Sequence, residues 1–113
     1  IYFKRFRKIY RFGPYGANHA TAATFAFRRA LLEITQFDES ASVSEERTFL
    51  KDFSIPMIQL DTKKTILAFA HRYNTYNKEN LLKNPDPKLV RETKFPLKTF
   101  VKDDASRKFY EEI

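Results

Sequence analysis

The stretch Ile1-Tyr2-Phe3-Lys4-Arg5-Phe6-Arg7-Lys8-Ile9-Tyr10-Arg11-Phe12, followed at once by Gly13-Pro14-Tyr15-Gly16, decides how the rest of the chain is read. Its five cations, Lys4, Arg5, Arg7, Lys8 and Arg11, meet no acidic residue in the first twelve positions and are threaded between aromatic and aliphatic side chains. Side chains alternate between faces along a strand. The interleaving therefore suits a strand with one face on a core and the other on phosphate. The expected strand covers residues 7–12 and closes at Gly13-Pro14, a strong turn signal.

The wider composition agrees with a folded, polyanion-seeking chain. At 113 residues it has the length of one domain, 1–113, and a hydrophobic content of 42% with 16% aromatic residues is enough for a core. A net charge of +7 favours nucleic acid or an anionic membrane surface over an acidic small substrate. The charge is unevenly placed: residues 1–12 carry +5, whereas residues 32–53 carry −4. One side is expected to meet a polyanion and the other to face solvent or a basic neighbour. The chain has no cysteine, which excludes disulfides, thiolate metal sites and cysteine nucleophiles. No stretch approaches the roughly 18 apolar residues of a membrane span. The opening on Ile1 rather than Met is expected of a processed or partial product, a cleaved targeting peptide being one explanation.

Outward from the opening block, Ala23, Phe27, Ala30, Leu31 and Ile34 follow helical spacing and predict a helix over 20–34, with Asn18 as N-cap. Phe25, Arg28 and Arg29 would then share its opposite face, where guanidinium groups can hold phosphates beside a stacking ring. Ser42-Val43-Ser44-Glu45 fits a capping box, predicting a short helix to about Asp52 with Phe49, Leu50 and Phe53 turned inward. Residues 55–61 read as a strand entered through Pro56, and residues 65–71, apolar on both faces, as a central strand. A loop or insertion is expected over 73–94 and a last strand over 95–101. Asp103 is expected to cap a terminal helix with Ala105, Phe109 and Ile113 as its apolar stripe. The expected order is strand, helix, strand, strand, weak strand, helix.

Catalytic chemistry is not legible. His19 and His71 are the only imidazoles and stand far apart, with no carboxylate at metal-ligand spacing. His71 is expected to be a satisfied core histidine and His19 to face solvent. Gly13-Pro14-Tyr15-Gly16 lacks the spacing of a nucleotide-binding loop. The expectation is no enzyme, no metal, no cofactor and no small-molecule substrate. The candidate RNA-binding residues are Lys4, Arg5, Arg7, Lys8, Arg11, Arg28 and Arg29; the candidate partner contacts are Phe25, Tyr15, Tyr73 and Tyr76.

The run from Tyr2 to Gly16 resembles the opening of the family of mitochondrial large-subunit ribosomal protein fifty-three, in which a basic aromatic strand ends in a Phe-x-Pro-aromatic turn, here Phe12, Pro14 and Tyr15. Ala23, Phe25 and Phe27 are similar to that family's helix, and Met57 to Asp61, Thr62-Lys63-Lys64 and Thr65 to His71 to its second strand, charged turn and third strand. The resemblance implies an α/β, thioredoxin-like fold: a small mixed sheet of three to four strands with helices packed on it and no redox motif. It implies a structural constituent of the mitochondrial ribosome, in the matrix, contacting ribosomal RNA and neighbouring mitochondrial ribosomal proteins. Residues 91–111 also resemble the last strand and helix of the B8 accessory subunit of respiratory complex I, which makes such a subunit the alternative.

Overall fold

Tyr2 and Phe3 form the first strand, and both are buried, at 3% and 1% exposure. Successive strand residues point to opposite faces, so burial of both marks a strand covered on two sides. The computed structural model, which describes residues 1–21 and 24–113, is a small mixed α/β protein. Its strands are β1 (Tyr2–Phe3), β2 (Lys8–Phe12), β3 (Phe69–Ala70) and β4 (Val90–Glu92), and its α-helices are α1 (Glu45–Phe49) and α2 (Asp104–Glu112). Short 3-10 turns occupy Arg29–Glu33, Lys78–Leu82 and Leu97–Thr99. The four strands make one mixed sheet in the order β3-β1-β2-β4. Among the described residues, no helix is long and apolar enough to cross a membrane.

The chain divides into two compact units, one of Ile1–Pro14 with Asp61–Ile113 and one of Tyr15–Leu60. The first holds the sheet. β1 and β2 are antiparallel neighbours, with Tyr2 opposite Ile9 and Phe3 opposite Lys8, while β1 and β3 run parallel. β4 pairs antiparallel with β2, setting Tyr10 opposite Glu92, Arg11 opposite Arg91 and Phe12 opposite Val90. On one face Tyr2 and Ile9 pack with Leu97, and Leu67, Phe69, Phe100 and Val101 close around them. Tyr110 of α2 stacks on Phe69 at 4.2 Å between ring centroids. On the other face Phe3 meets Phe6, Tyr10 and Phe12 at 6.4, 5.5 and 6.3 Å. Full burial of a side chain such as Phe3 contributes roughly 1.5–3 kcal/mol.

In the second unit Phe49, fully buried at the end of α1, is the centre. The rings of Phe37, Phe27 and Phe25 surround it at 4.2, 4.9 and 5.6 Å. Thr35, the buried polar side chain here, donates from Oγ1 to the Phe49 carbonyl at 2.6 Å. After α1 the chain turns through Lys51, Asp52 and Phe53, all left-handed with φ of 49°, 55° and 60°.

Several expectations require correction. The opening block is a hairpin, β1 turning into β2, where a single strand over 7–12 was expected; β2 itself agrees with that strand. Among the described residues the helix expected over 20–34 does not form: residues 24–28 are irregular and the 3-10 turn at Arg29–Glu33 follows. Asn18 caps nothing; it is left-handed (φ 62°) and its Oδ1 accepts from the Met57 amide at 3.2 Å. Thr21, Thr24, Phe25 and Phe27 are modest helix formers, and clustering of the phenylalanines on Phe49 outweighs the periodic pattern. The expected helical position of Ala23 lies outside the described residues.

Residues 55–61 form no strand, and Ile58 is 88% exposed. Residues 65–71 supply only β3, which sits at the sheet edge; the central position belongs to β1 and β2. Segment 73–94 contains a 3-10 turn and β4, and residues 95–101 are a 3-10 turn instead of a strand. α1 and α2 lie where expected, and Asp103 caps α2 by accepting from the Ser106 amide at 2.7 Å. Ser44 makes no side-chain cap, and the half-buried side of α2 carries Arg107 and Tyr110 while Phe109 is 58% exposed.

Candidate nucleic-acid interface

The β1–β2 connection is a four-residue turn, Lys4-Arg5-Phe6-Arg7, closed by backbone bonds from the Phe6 amide to the Phe3 carbonyl and from the Arg7 amide to the Lys4 carbonyl, both 3.2 Å. Arg7 completes the turn in a left-handed conformation, φ 53°. Three of the four turn residues are cationic, and Phe6, at 44% exposure, stands among them with the Arg5 guanidinium 5.7 Å from its ring centre. Phe3 directly below is fully buried. The fold thus holds a cluster of positive charge and one aromatic ring out from a braced hairpin.

The five cations differ in how far they are already engaged. Arg5 pairs with Glu79 at 3.0 Å. Lys8 pairs with Glu92 at 2.6 Å, and Tyr10 also donates to Glu92 at 3.3 Å. The hydrogen bond between Lys8 and Glu92 raises the lysine pKa and lowers that of the carboxylate. Lys4 donates to the Ile113 carbonyl. Among the described residues no carboxylate lies within 4.0 Å of Arg7 or Arg11. Arg11 is half-buried, and its Nε is buried without a hydrogen-bond partner. Pairs as exposed as Arg5–Glu79 and Lys8–Glu92 are weakened by solvent screening, so phosphate oxygens can compete for these cations.

The second candidate patch is not assembled as expected. Phe25 turns into the phenylalanine cluster, while Arg28 and Arg29 are exposed at the start of a 3-10 turn. Without a helix, the i, i+3, i+4 relation that would unite the three is absent. Tyr15 is half-buried against His19, whose ring lies 4.7 Å from it and 4.5 Å from Phe53, and burial raises the Tyr15 pKa. His19 was expected in solvent; its Nδ1 is buried with no partner. Tyr73 and Tyr76 remain exposed at 64% and 51%, Tyr73 lying under the Arg72 guanidinium at 4.7 Å. His71, expected in the core, is only half-buried just past β3; its ring is satisfied, accepting at Nδ1 from the Tyr73 amide and meeting Asn74 at Nε2.

Sequence reading did not single out Phe6, which lies outside the strand expected over 7–12 and is exposed by the four-residue turn. It also missed Arg91, hidden in a segment expected to be a loop although Leu89, Val90 and Thr93 mark it as strand-forming. Comparison with protein-family models, with curated proteins and with solved structures finds no match.

Proposed function

We propose that this chain is a non-catalytic structural constituent of the mitochondrial ribosome, in its large subunit, where the β1–β2 hairpin lies along the ribosomal RNA backbone and Tyr73 and Tyr76 face neighbouring proteins. The observation that carries this reading is the hairpin turn itself, which gathers Lys4, Arg5 and Arg7 on a brace made by the buried Phe3. Contacts of this kind fix position on a duplex or loop without reading sequence. Phe6, beside Arg5, adds a ring on which an unpaired base can stack. Residues 2–34 and 55–72 support the assignment through their resemblance to the ribosomal family.

The finer fold reading, a thioredoxin-like domain without thiols, draws support from the parallel β1–β3 pair and from α2 closing on Phe69. The direct β1–β2 hairpin, in place of the expected strand, helix, strand opening, is the feature it leaves unaccounted for. An accessory structural subunit of respiratory complex I is the second reading. The Arg5–Glu79 and Lys8–Glu92 pairs favour it, because they spend two of the five cations within the fold.

The deciding experiment is sedimentation of the tagged protein from a mitochondrial lysate. Co-migration with the large ribosomal subunit through a high-salt gradient is the expected result. Co-migration with a respiratory complex would replace this reading with the second.

A further inference from the structure

The β2–β4 ladder places two arginines face to face. Arg11 is directly opposite Arg91, between the bonds from the Thr93 amide to the Ile9 carbonyl at 2.9 Å and from the Gly13 amide to the Leu89 carbonyl at 2.8 Å. This spacing makes Arg11/Arg91 a hydrogen-bonded pair, whose Cα atoms lie about 5.5 Å apart with both side chains on one sheet face. Like charges directly opposite destabilise a sheet. Among the described residues no carboxylate lies within 4.0 Å of either guanidinium. Arg91 is exposed, and its Nε donates only a long bond, 3.4 Å, to the Pro87 carbonyl. The Nε of Arg11 is buried with no acceptor.

The other face of the same two strands is balanced. There Lys8 and Tyr10 converge on Glu92, so cation, hydroxyl and carboxylate satisfy one another. Thr93, next to Arg91 on the arginine face, directs its hydroxyl to the Ile9 carbonyl at 2.8 Å and supplies no counter-charge. Beyond it Ile9 belongs to the buried core. One face of this two-stranded ribbon thus carries its own counter-ion, and the opposite face carries two cations and none.

We propose that Arg11 and Arg91 form a site for a phosphate group, held between the two guanidinium planes. Each plane offers forked N–H donors matched to paired oxygens, and a tetrahedral phosphate can accept from both at once. Its negative charge offsets the cross-strand repulsion. The occupant is a backbone phosphate of RNA. This rests on the function proposed above and deepens it by naming a contact on β4, a strand outside the basic opening block. A free phosphate group is the other source of the same chemistry.

The test is carried out on the whole chain with inorganic phosphate and with a single-stranded RNA oligonucleotide. By NMR, phosphate should shift the Nε–Hε resonances of Arg11 and Arg91 along one saturation curve, and Arg91→Gln should abolish the Arg11 shift. For the oligonucleotide, Arg91→Gln should flatten the dependence of log K on log salt by about 0.7, the share of one neutralised phosphate on a single strand. Arg91→Lys should keep the slope and weaken binding several-fold, because charge is retained and the fork is removed. Circular dichroism confirms folding of each variant. Phosphate shifts without RNA binding by the wild type would keep the site, assign it to a free phosphate and remove the RNA reading. RNA binding with an unchanged slope in Arg91→Gln and no shift at Arg11 would overturn the site and leave the RNA reading standing.

Discussion

Single side chains decide how much of the basic surface is free. Glu92 holds Lys8, and the signs of their shifts fix when it does so. The carboxylate pKa is depressed, so the pair is present above the ordinary glutamate value of 4.5 and is lost as pH falls through the depressed value. The lysine pKa is raised, so the pair persists below 10.5 and is lost as pH rises through the raised value. Near neutrality Lys8 is therefore engaged. Glu92→Gln should release it and steepen the salt dependence of single-stranded RNA binding by about 0.7, the share of one phosphate, measured by fluorescence anisotropy. A second prediction concerns Thr35, whose hydroxyl is the partner of the Phe49 carbonyl at 2.6 Å. Thr35→Val leaves that buried oxygen unsatisfied and should cost about 1–3 kcal/mol in urea denaturation. Phe49→Ala, which empties the centre of the phenylalanine cluster, should cost roughly 3–5 kcal/mol.

At the scale of elements, what could be read in advance was what is local. α2 was legible because Asp103 supplies a cap acceptor and the following residues are good helix formers. β2 was legible from alternation, and α1 from the Ser42-Val43-Ser44-Glu45 pattern, although Ser44 makes no side-chain cap. The helix over 20–34 was not, because Phe27 of its expected stripe packs on Phe49 together with Phe25 of the expected opposite face, while Ile34 is 61% exposed. β1 escaped notice since two residues carry no period, and β4 because its value depends on having β2 as a neighbour. The candidate site followed the same division. The cations of the opening block were visible as composition, whereas the turn that exposes Phe6 and the ladder that sets Arg91 against Arg11 exist only after pairing. The left-handed residues after α1 were equally invisible. Lys51 is exposed at φ 49°, a conformation that costs a side-chain-bearing residue about 1–2 kcal/mol. Lys51→Gly should accordingly raise stability by up to about 1 kcal/mol, read from the urea midpoint. An unchanged or lowered midpoint would show that the turn is not held in that conformation.

Across the whole chain, positive charge exceeds negative by seven, and that excess is unevenly divided between the two units. The sheet-bearing unit presents the hairpin turn and the Arg11/Arg91 pair, while the acidic residues of 32–53 lie in the other unit. A chain built this way should bind RNA through many weak phosphate contacts, with affinity that falls steeply with salt and depends little on sequence. The direct test is the slope of log K against log salt for an RNA oligonucleotide, compared between the wild type and the Arg5→Ala, Arg7→Ala, Lys8→Ala triple variant. A steep wild-type slope, flattened on a single strand by about 0.7 for every phosphate the variant no longer neutralises, is the predicted result. Equal slopes in the two proteins would contradict the claim that the cationic hairpin meets the RNA backbone.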